Sequence, residues 1–390
     1  MKNILNSYFS RYYIEIITST YALNFFIPNL ILILFSLSGN YELISEISIV
    51  IGINIIFTQI FSANARSLII SKKLSISLEN FLLFRICFSI LFLILNIIIL
   101  NYFNFFYFEI LLQISFLIIL QWLNELIITF FEINNKKQKI YSYLMVKIVF
   151  LILILKNIFL IENFFFILLI FNFFLFFFIL FYSYKIINKT KLRPNISKIL
   201  ILSLSSFSFF SSLSVSVANL IWRLLIIFFC GKIIAGVFFV GFAIGSLPGT
   251  FFNNVLGPTM LNRNLVLKNY VLVSFVSLLL FQVFLSFYLL NDSSNLFDDL
   301  KYTQVFCTFL SLFGTFFMVR GLYYRQYILQ KTKYEKSIFK VDIFYSFLVI
   351  LIIPTLYFLL DYRLLISAFL VSSVMSYIIY KLNFDKFIKL

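Results

Sequence analysis

The chain has 390 residues, of which 62% are hydrophobic and only 12% are charged, and its net charge is +16. A soluble protein of this length carries about twice that charged fraction, so the composition excludes a soluble globular class and predicts an all-α, polytopic membrane protein. Because the chain has no histidine, His-ligated metal sites and histidine general bases are excluded, and we expect no metal and no cofactor. In a membrane chain the distribution of basic residues matters more than their sum, so no nucleic-acid partner is predicted.

Twelve apolar stretches are long enough to cross a bilayer as helices, because a span needs about 20 apolar residues. They lie near residues 14–37, 43–65, 81–101, 110–131, 141–161, 164–184, 203–229, 233–256, 269–290, 302–322, 339–360 and 364–380. With the N-terminus placed in the cytoplasm, about 26 of the 31 lysines and arginines fall on the cytoplasmic side, while acidic residues mark the outer loops. This alternation predicts twelve transmembrane helices with both termini in the cytoplasm.

A basic loop, residues 185–198, separates six predicted spans from six. It contains Pro194 and five basic residues. Two halves of six spans are typical of transporters built from a parallel repeat whose axis runs along the membrane normal. We therefore predict an N-terminal six-helix half, residues 1–190, and a C-terminal six-helix half, residues 191–390, arranged around a central cavity.

Four of the predicted spans carry their polar residues along one face. On a helical wheel each of these faces is about 80° to 120° wide. The faces consist of Glu15, Thr18, Ser19, Ala22 and Asn29 in the first span; Asn54, Thr58, Ser62 and Arg66 in the second; Gln113, Gln121, Asn124, Glu125 and Glu132 in the fourth; and Ser205, Ser208, Ser212, Ser216, Asn219 and Arg223 in the seventh.

Two interpretations of such a face are open. An ionised side chain in a bilayer costs about 3 kcal/mol or more, so it should face protein or water. A single polar face can equally be a hydrogen-bonded contact between two helices. Four faces, two ending in arginine and two carrying a glutamate, favour the walls of a central aqueous cavity.

Other charged and small residues inside the spans also need an interpretation. Gly241, Gly245 and Gly249 repeat at a spacing of four in the eighth span, which predicts either tight helix packing or a helix that bends. Lys147 and Lys156 lie about two and a half turns apart in the fifth span, so at most one of them can face a cavity. We interpret two further cations as arginines that extend to the inner headgroups, namely Arg85 and Arg320.

The run IWRLLIIFFCGKIIAGVFFVGFAIGSLPGTFFNNVLGPTM, residues 221–260, resembles the seventh and eighth spans of a known transporter family. This family comprises the bacterial polysaccharide flippases, the Wzx-type O-antigen and repeat-unit transporters of the multidrug/oligosaccharidyl-lipid/polysaccharide exporter (MOP) superfamily. The matching features are Arg223 followed by apolar residues, Gly236 before an aromatic-rich span, and Pro248 and Pro258 toward its inner end. Where many members have an acidic residue before the arginine, this chain has Trp222, which leaves Arg223 more available to an anion.

The resemblance implies a carrier that moves an undecaprenyl-pyrophosphate-linked glycan from the cytoplasmic to the outer leaflet of the bacterial inner membrane. A pyrophosphate needs cationic partners, so we expect Arg66 and Arg223 to contact it at opposite ends of the path. Glu125 and Glu15 are candidates for ion coupling or gating. The sugars would bind Asn54, Thr58, Ser62, Ser208, Ser212, Ser216 and Asn219. Expected partners are the lipid-linked oligosaccharide, membrane lipids and the polysaccharide polymerase machinery.

Two other functions stay open at this point. A multidrug exporter of the same superfamily would use acidic and aromatic cavity residues to bind organic cations, and Glu15 and Glu125 are the candidates for that role. A membrane-embedded glycan polymerase or glycosyltransferase would need an acidic pair in an early outer loop, or a large outer loop with arginines. The adjacent pair Asp298 and Asp299 lies late in the chain, in a short loop, so we expect no enzyme.

Overall fold

The computed structural model describes residues 13–60, 66, 69, 78–157, 161–188, 207–252, 298–331, 335–360 and 362–388. Within these ranges the chain forms α-helices joined by short turns and two 3₁₀ segments. The helices are α1 (Tyr13–Phe35), α2 (Tyr41–Ile60), α3 (Leu78–Tyr102), α4 (Phe108–Ile133), α5 (Lys137–Asn157), α6 (Ile161–Ile187), α7 (Phe207–Phe251), α8 (Asp298–Lys331), α9 (Glu335–Leu360) and α10 (Ala368–Ile388).

The helices agree with the predicted all-α membrane fold. Among the described residues, eight helices are long and apolar enough to cross a bilayer, so the chain is a multi-pass membrane protein. Every predicted span except the ninth overlaps a helix in its described part, and the ninth, near 269–290, lies outside the described residues. Helix α7 contains both the seventh and the eighth span, and a kink at Gly231, where φ is 78° and ψ is 166°, separates the two. The count of twelve stays a prediction.

The helices group into two compact units by their contacts. The first unit comprises residues 1–28 and 61–204, and its central helix is α4, which packs against α3, α5 and α6 and is buried along most of its length. The second comprises residues 29–60 and 205–390, and its central helix is α7, which packs against α2, α8 and α9. Helix α2 therefore packs with the C-terminal helices, while a division of the sequence near residue 190 stays a prediction.

Glycines on α7 allow close approach to α8. A Cβ atom added to Gly241 would lie 2.6 Å from the Cys307 sulfur, and one added to Gly245 would lie 2.6 Å from the Cβ of Ser311. Both distances are far shorter than a normal van der Waals contact. The glycine repeat therefore serves tight helix packing, and bending of this helix stays a prediction.

Gly236 makes the closest approach, and we expect its replacement by alanine to destabilise the second unit. The new methyl group would lie 2.0 Å from the backbone oxygen of Tyr41 on α2. Because backbone cannot move as a side chain does, the overpacking should cost about 1–3 kcal/mol of unfolding free energy. Gly249→Ala is the matched control, since the three atoms nearest to its methyl group all belong to the flexible side chain of Met318. Thermal unfolding in detergent measures both, and equal melting temperatures would contradict the prediction.

Candidate functional site

The first unit contains a buried ionic cluster between α1, α4 and Arg66. The Nε and Nη2 atoms of Arg66 donate to Glu132 Oε2 at 3.4 Å, and the guanidinium lies 3.7 Å from the centroid of the Tyr21 ring. The Tyr21 hydroxyl donates to Glu132 at 3.1 Å and lies 3.0 Å from Thr129 Oγ1. Arg66 is only 3% exposed. The charge that ends the polar face of the second span is thus neutralised by a glutamate of the fourth.

A second ion pair lies deeper in the same unit and corrects the interpretation of Arg85. Its side chain is fully buried and does not extend to the headgroups; Nη1 donates to Glu125 Oε2 at 2.9 Å and to the carbonyl oxygen of Trp122. Removing one partner of a buried ion pair strongly destabilises the folded protein, because the other charge is left buried without compensation. Glu125 therefore compensates a buried arginine, whatever part it takes in transport. Arg320, by contrast, is exposed beside the Phe316 ring, as expected for an arginine at a headgroup.

Lys147 is fully buried in the first unit and has only neutral partners. Its Nζ donates to Asn24 Oδ1 at 2.6 Å and lies 4.7 Å from the centroid of the Tyr143 ring. The same Asn24 oxygen accepts a hydrogen bond of 3.1 Å from Asn124 Nδ2, so both of its lone pairs are used. No carboxylate of the described residues pairs with this ammonium group. Lys156, the other lysine of the fifth span, is exposed.

The second unit contains a network that the sequence analysis missed. Asp342 on α9 is fully buried and accepts two hydrogen bonds from Arg325 Nε, at 3.1 and 3.2 Å, and one from Nη2 at 2.8 Å. The hydroxyl groups of Ser211 and Tyr380 also donate to this carboxylate. The available signal was an acidic residue inside the predicted span 339–360. One carboxylate thus joins α7, α8, α9 and α10.

The polar face of the seventh span meets α2 in the second unit. Arg223 is half-buried and donates through Nη1 to the carbonyl oxygen of Ser48. No carboxylate of the described residues pairs with it. Ser216 is buried, and its hydroxyl lies 2.9 Å from Gln59 Oε1 and 2.8 Å from the carbonyl oxygen of Ser212. In this structure part of the stripe is a hydrogen-bonded helix contact, one of the two interpretations left open.

The other predicted binding residues have different surroundings. Asn54 is fully buried and its Nδ2 donates to the Val50 carbonyl oxygen at 2.9 Å, while Thr58 Oγ1 donates to the Asn54 carbonyl oxygen at 2.8 Å. Asn219 is exposed. Ser62 and the side chains of Ser208 and Glu15 lie outside the described residues. Which neighbour each of these side chains meets depends on the packing, and their role in binding stays a prediction.

The acidic and cysteine side chains do not point to a metal centre. Across the described helices, no three of them come together in a geometry that could hold a metal ion. The three cysteines are free thiols. The titratable groups of the interior are instead held in ion pairs or by neutral oxygens, as described above.

Comparison with known proteins identifies the fold. No protein-family model matches the sequence, and no curated protein is significantly similar to it. One similar solved structure is a MOP superfamily transporter from Pyrococcus furiosus, which shares 13% sequence identity with this chain. The reverse polarity of its binding pocket suggested a different function for that protein. That match has a TM-score of 0.52 and covers 96% of this chain and 98% of the other.

A second solved structure is the inward-facing conformation of a multidrug resistance MATE family transporter of the MOP superfamily. It shares 11% identity, with a TM-score of 0.52 and coverage of 96% of this chain and 99% of the other. Similarity at this level of identity establishes the fold, which agrees with the superfamily resemblance of residues 221–260. The narrower resemblance to Wzx-type flippases stays a prediction. The chain is therefore a multi-pass membrane protein with the fold of MOP superfamily transporters.

Proposed function

We propose that this chain is a transporter, not an enzyme, and that it moves a polyprenyl-pyrophosphate-linked oligosaccharide from the cytoplasmic to the outer leaflet of a bacterial inner membrane. The product would be used for surface polysaccharide biosynthesis, with the polysaccharide polymerase machinery as a partner. The fold supports transport, since the solved structures that it resembles are transporters. The resemblance of residues 221–260 to polysaccharide flippases supports the substrate class.

One observation favours an anionic substrate over an organic cation. In the described interior, three buried carboxylates each pair with an arginine and a fourth, Glu46, pairs with the partly exposed Lys232, whereas two cations have only neutral oxygens as partners. The arginine pairs are Glu125 with Arg85, Glu132 with Arg66 and Asp342 with Arg325, and the two cations are Lys147 and Arg223. The uncompensated charge is positive, which suits a pyrophosphate. An exporter of organic cations would need the opposite arrangement.

The residue roles follow from this balance of charge. Arg223 would contact the pyrophosphate, because its carbonyl partner at Ser48 leaves the guanidinium charge uncompensated. Arg66 would do so only when the substrate displaces it from Glu132. Glu125 and Glu15 remain our candidates for ion coupling or gating. The sugar hydroxyls would bind side chains of the second and seventh spans, namely Asn54, Thr58, Ser62, Ser208, Ser212, Ser216 and Asn219.

Deletion of the gene tests the function directly. We expect a polyprenyl-linked oligosaccharide to accumulate in the membrane lipids, and surface polysaccharide to fall, with both restored by a plasmid copy. A multidrug exporter predicts a different result, in which the lipids are unchanged and the strain becomes sensitive to organic cations. That second result would overturn the proposal.

Lys147→Gln is expected to lower export at matched protein levels. Glutamine keeps a hydrogen-bond donor for Asn24 but removes the uncompensated charge. The loss should be about tenfold to a hundredfold, because a hydrogen bond to a charged group contributes about 1.5–3 kcal/mol. Lys156→Gln is the matched control, since it makes the same change on the same helix at an exposed position, and it should export normally. Equal export by the two variants would exclude Lys147 from the substrate path.

A further inference from the structure

A groove of about 410 Å³ lies between α5 and α6 in the first unit. Polar side chains line the end of the groove near the start of α5, and aromatic side chains line its wall on α6. The polar residues are Gln138, Lys139 and Ser142, and the aromatic residues are Phe174, Phe178 and Tyr182. The groove therefore has one charged end and one apolar wall, as an amphipathic ligand requires.

The aromatic wall is a continuous stack that positions the lysine. The Phe178 ring centroid lies 4.8 Å from that of Tyr143 and 4.7 Å from that of Tyr182. Lys139 Nζ lies 5.1 Å from the Tyr182 centroid and 5.8 Å from that of Phe131. No acidic side chain lines the groove, and none of the ion pairs among the described residues includes Lys139. The charge at this end of the groove is therefore positive.

A second groove, of about 300 Å³, lies between α9 and α10 in the second unit. It has the same chemistry, with Lys340, Lys386 and Asn383 beside apolar residues such as Phe344 and Leu382, and again no acidic residue lines it. These helices are the fifth and sixth spans of the predicted C-terminal half, so they correspond in order to α5 and α6 in the N-terminal half. Because both grooves combine lysines with apolar residues and lie between corresponding helices of the two halves, we interpret them as binding sites and not as accidental gaps in the packing.

We propose that each groove binds an anionic phospholipid of the inner leaflet, with its phosphate at the lysines and its acyl chains along the apolar wall. The charge distribution of the sequence puts the lysine ends of all four helices at the cytoplasmic surface. Basic pockets between transmembrane helices on that side bind anionic headgroups. An acyl chain occupies an apolar wall that faces the bilayer, whereas a free phosphate ion would leave it empty. The inference is independent of the transported substrate.

Native mass spectrometry of the detergent-purified full chain tests the inference, with phosphatidylglycerol and phosphatidylcholine as probes. Wild type should retain two molecules of phosphatidylglycerol in preference to phosphatidylcholine. Lys139→Gln should weaken one of the two sites about fivefold, and the double variant Lys340→Gln/Lys386→Gln should weaken the other by more. The controls are Lys156→Gln on α5 and Lys381→Gln on α10, since these exposed lysines line neither groove. Both controls should retain lipid as wild type does.

Three outcomes would overturn the inference. The first is equal retention of the two lipids, and the second is an unchanged affinity in the groove variants. The third is complete displacement of phosphatidylglycerol by an equimolar polyprenyl phosphate, which would assign the grooves to a lipid-linked substrate. Inorganic phosphate at millimolar concentration should displace nothing. Because the readout is lipid retention, a failure of the phospholipid inference leaves the proposed transport function unaffected. A failure of the proposed transport function likewise leaves the phospholipid inference unaffected.

Discussion

Replacement of Asp342 by asparagine is expected to lower the free energy of unfolding of the second unit by about 3–5 kcal/mol. The carboxylate is fully buried, forms an ion pair with Arg325 and accepts hydrogen bonds from Ser211 and Tyr380. Asparagine has nearly the same shape but leaves the largely buried guanidinium of Arg325 without its counter-charge. Because these four side chains come from four helices, the loss should loosen the packing of all of them. Thermal unfolding in detergent measures the change.

Two controls separate the charge from the position. Asp385→Asn makes the same substitution on α10 at an exposed site and should leave the melting temperature unchanged. The double variant Asp342→Leu/Arg325→Met removes both charges, and it should be clearly more stable than Asp342→Asn, because replacing a whole buried ion pair is often neutral. If Asp342→Asn melts like wild type, the network does not hold these helices together.

Substitutions of Arg223 should change export in the order arginine, lysine, glutamine, glutamate, from highest to lowest. Lysine keeps the charge but loses the planar fork, so we expect a loss of about fivefold to tenfold. Glutamine removes the charge and should lose more. Glutamate would place a negative charge where the arginine was and would repel a pyrophosphate, so export should fall below detection. Delivery of glycan to the outer leaflet, measured at matched protein levels, is the readout.

Protein amount and folding must be held constant in this series. Arg320→Gln is a suitable control, since Arg320 is exposed on α8 and outside the predicted path, and it should export normally. The decisive comparison is between Arg223→Gln and Arg223→Glu proteins that melt at the same temperature, because only the charge on the path then differs. Normal export by a stable Arg223→Glu protein would show that the anion-path mechanism is wrong.

The sequence predicted the helices well because a membrane span is a local property. About 20 apolar residues between polar ends define a span without reference to any neighbour. The agreement of helices such as α4 (Phe108–Ile133) with the stretch 110–131 follows from this. The polar faces stay predictions: in the fourth span Gln121, Asn124, Glu125 and Glu132 are buried, but so are the apolar residues between them, because α4 is buried along most of its length.

The partners of the buried charges could not be predicted in the same way. Arg85 was placed at the headgroups because it lies near the end of its span, yet Glu125 of the next span holds it in the interior. Asp342 was overlooked because Lys340, the charged residue nearest to it in the sequence, lies on another face of the helix. Its partner, Arg325, belongs to the preceding helix. Which cations stay uncompensated, and hence which substrate charge the interior favours, depends on contacts between helices.

The sequence by itself determined that this protein is an all-α membrane chain, which stretches form its helices and which faces of them are polar. These properties follow from hydropathy and helical period, and both act over a few turns of one helix. Only the tertiary structure decided that α2 packs on α7, that arginines neutralise Glu125, Glu132 and Asp342, and that Lys147 and Arg223 have neutral partners. A charge buried in a bilayer must be compensated by whichever helix packs against it, and residues distant in the sequence supply that helix.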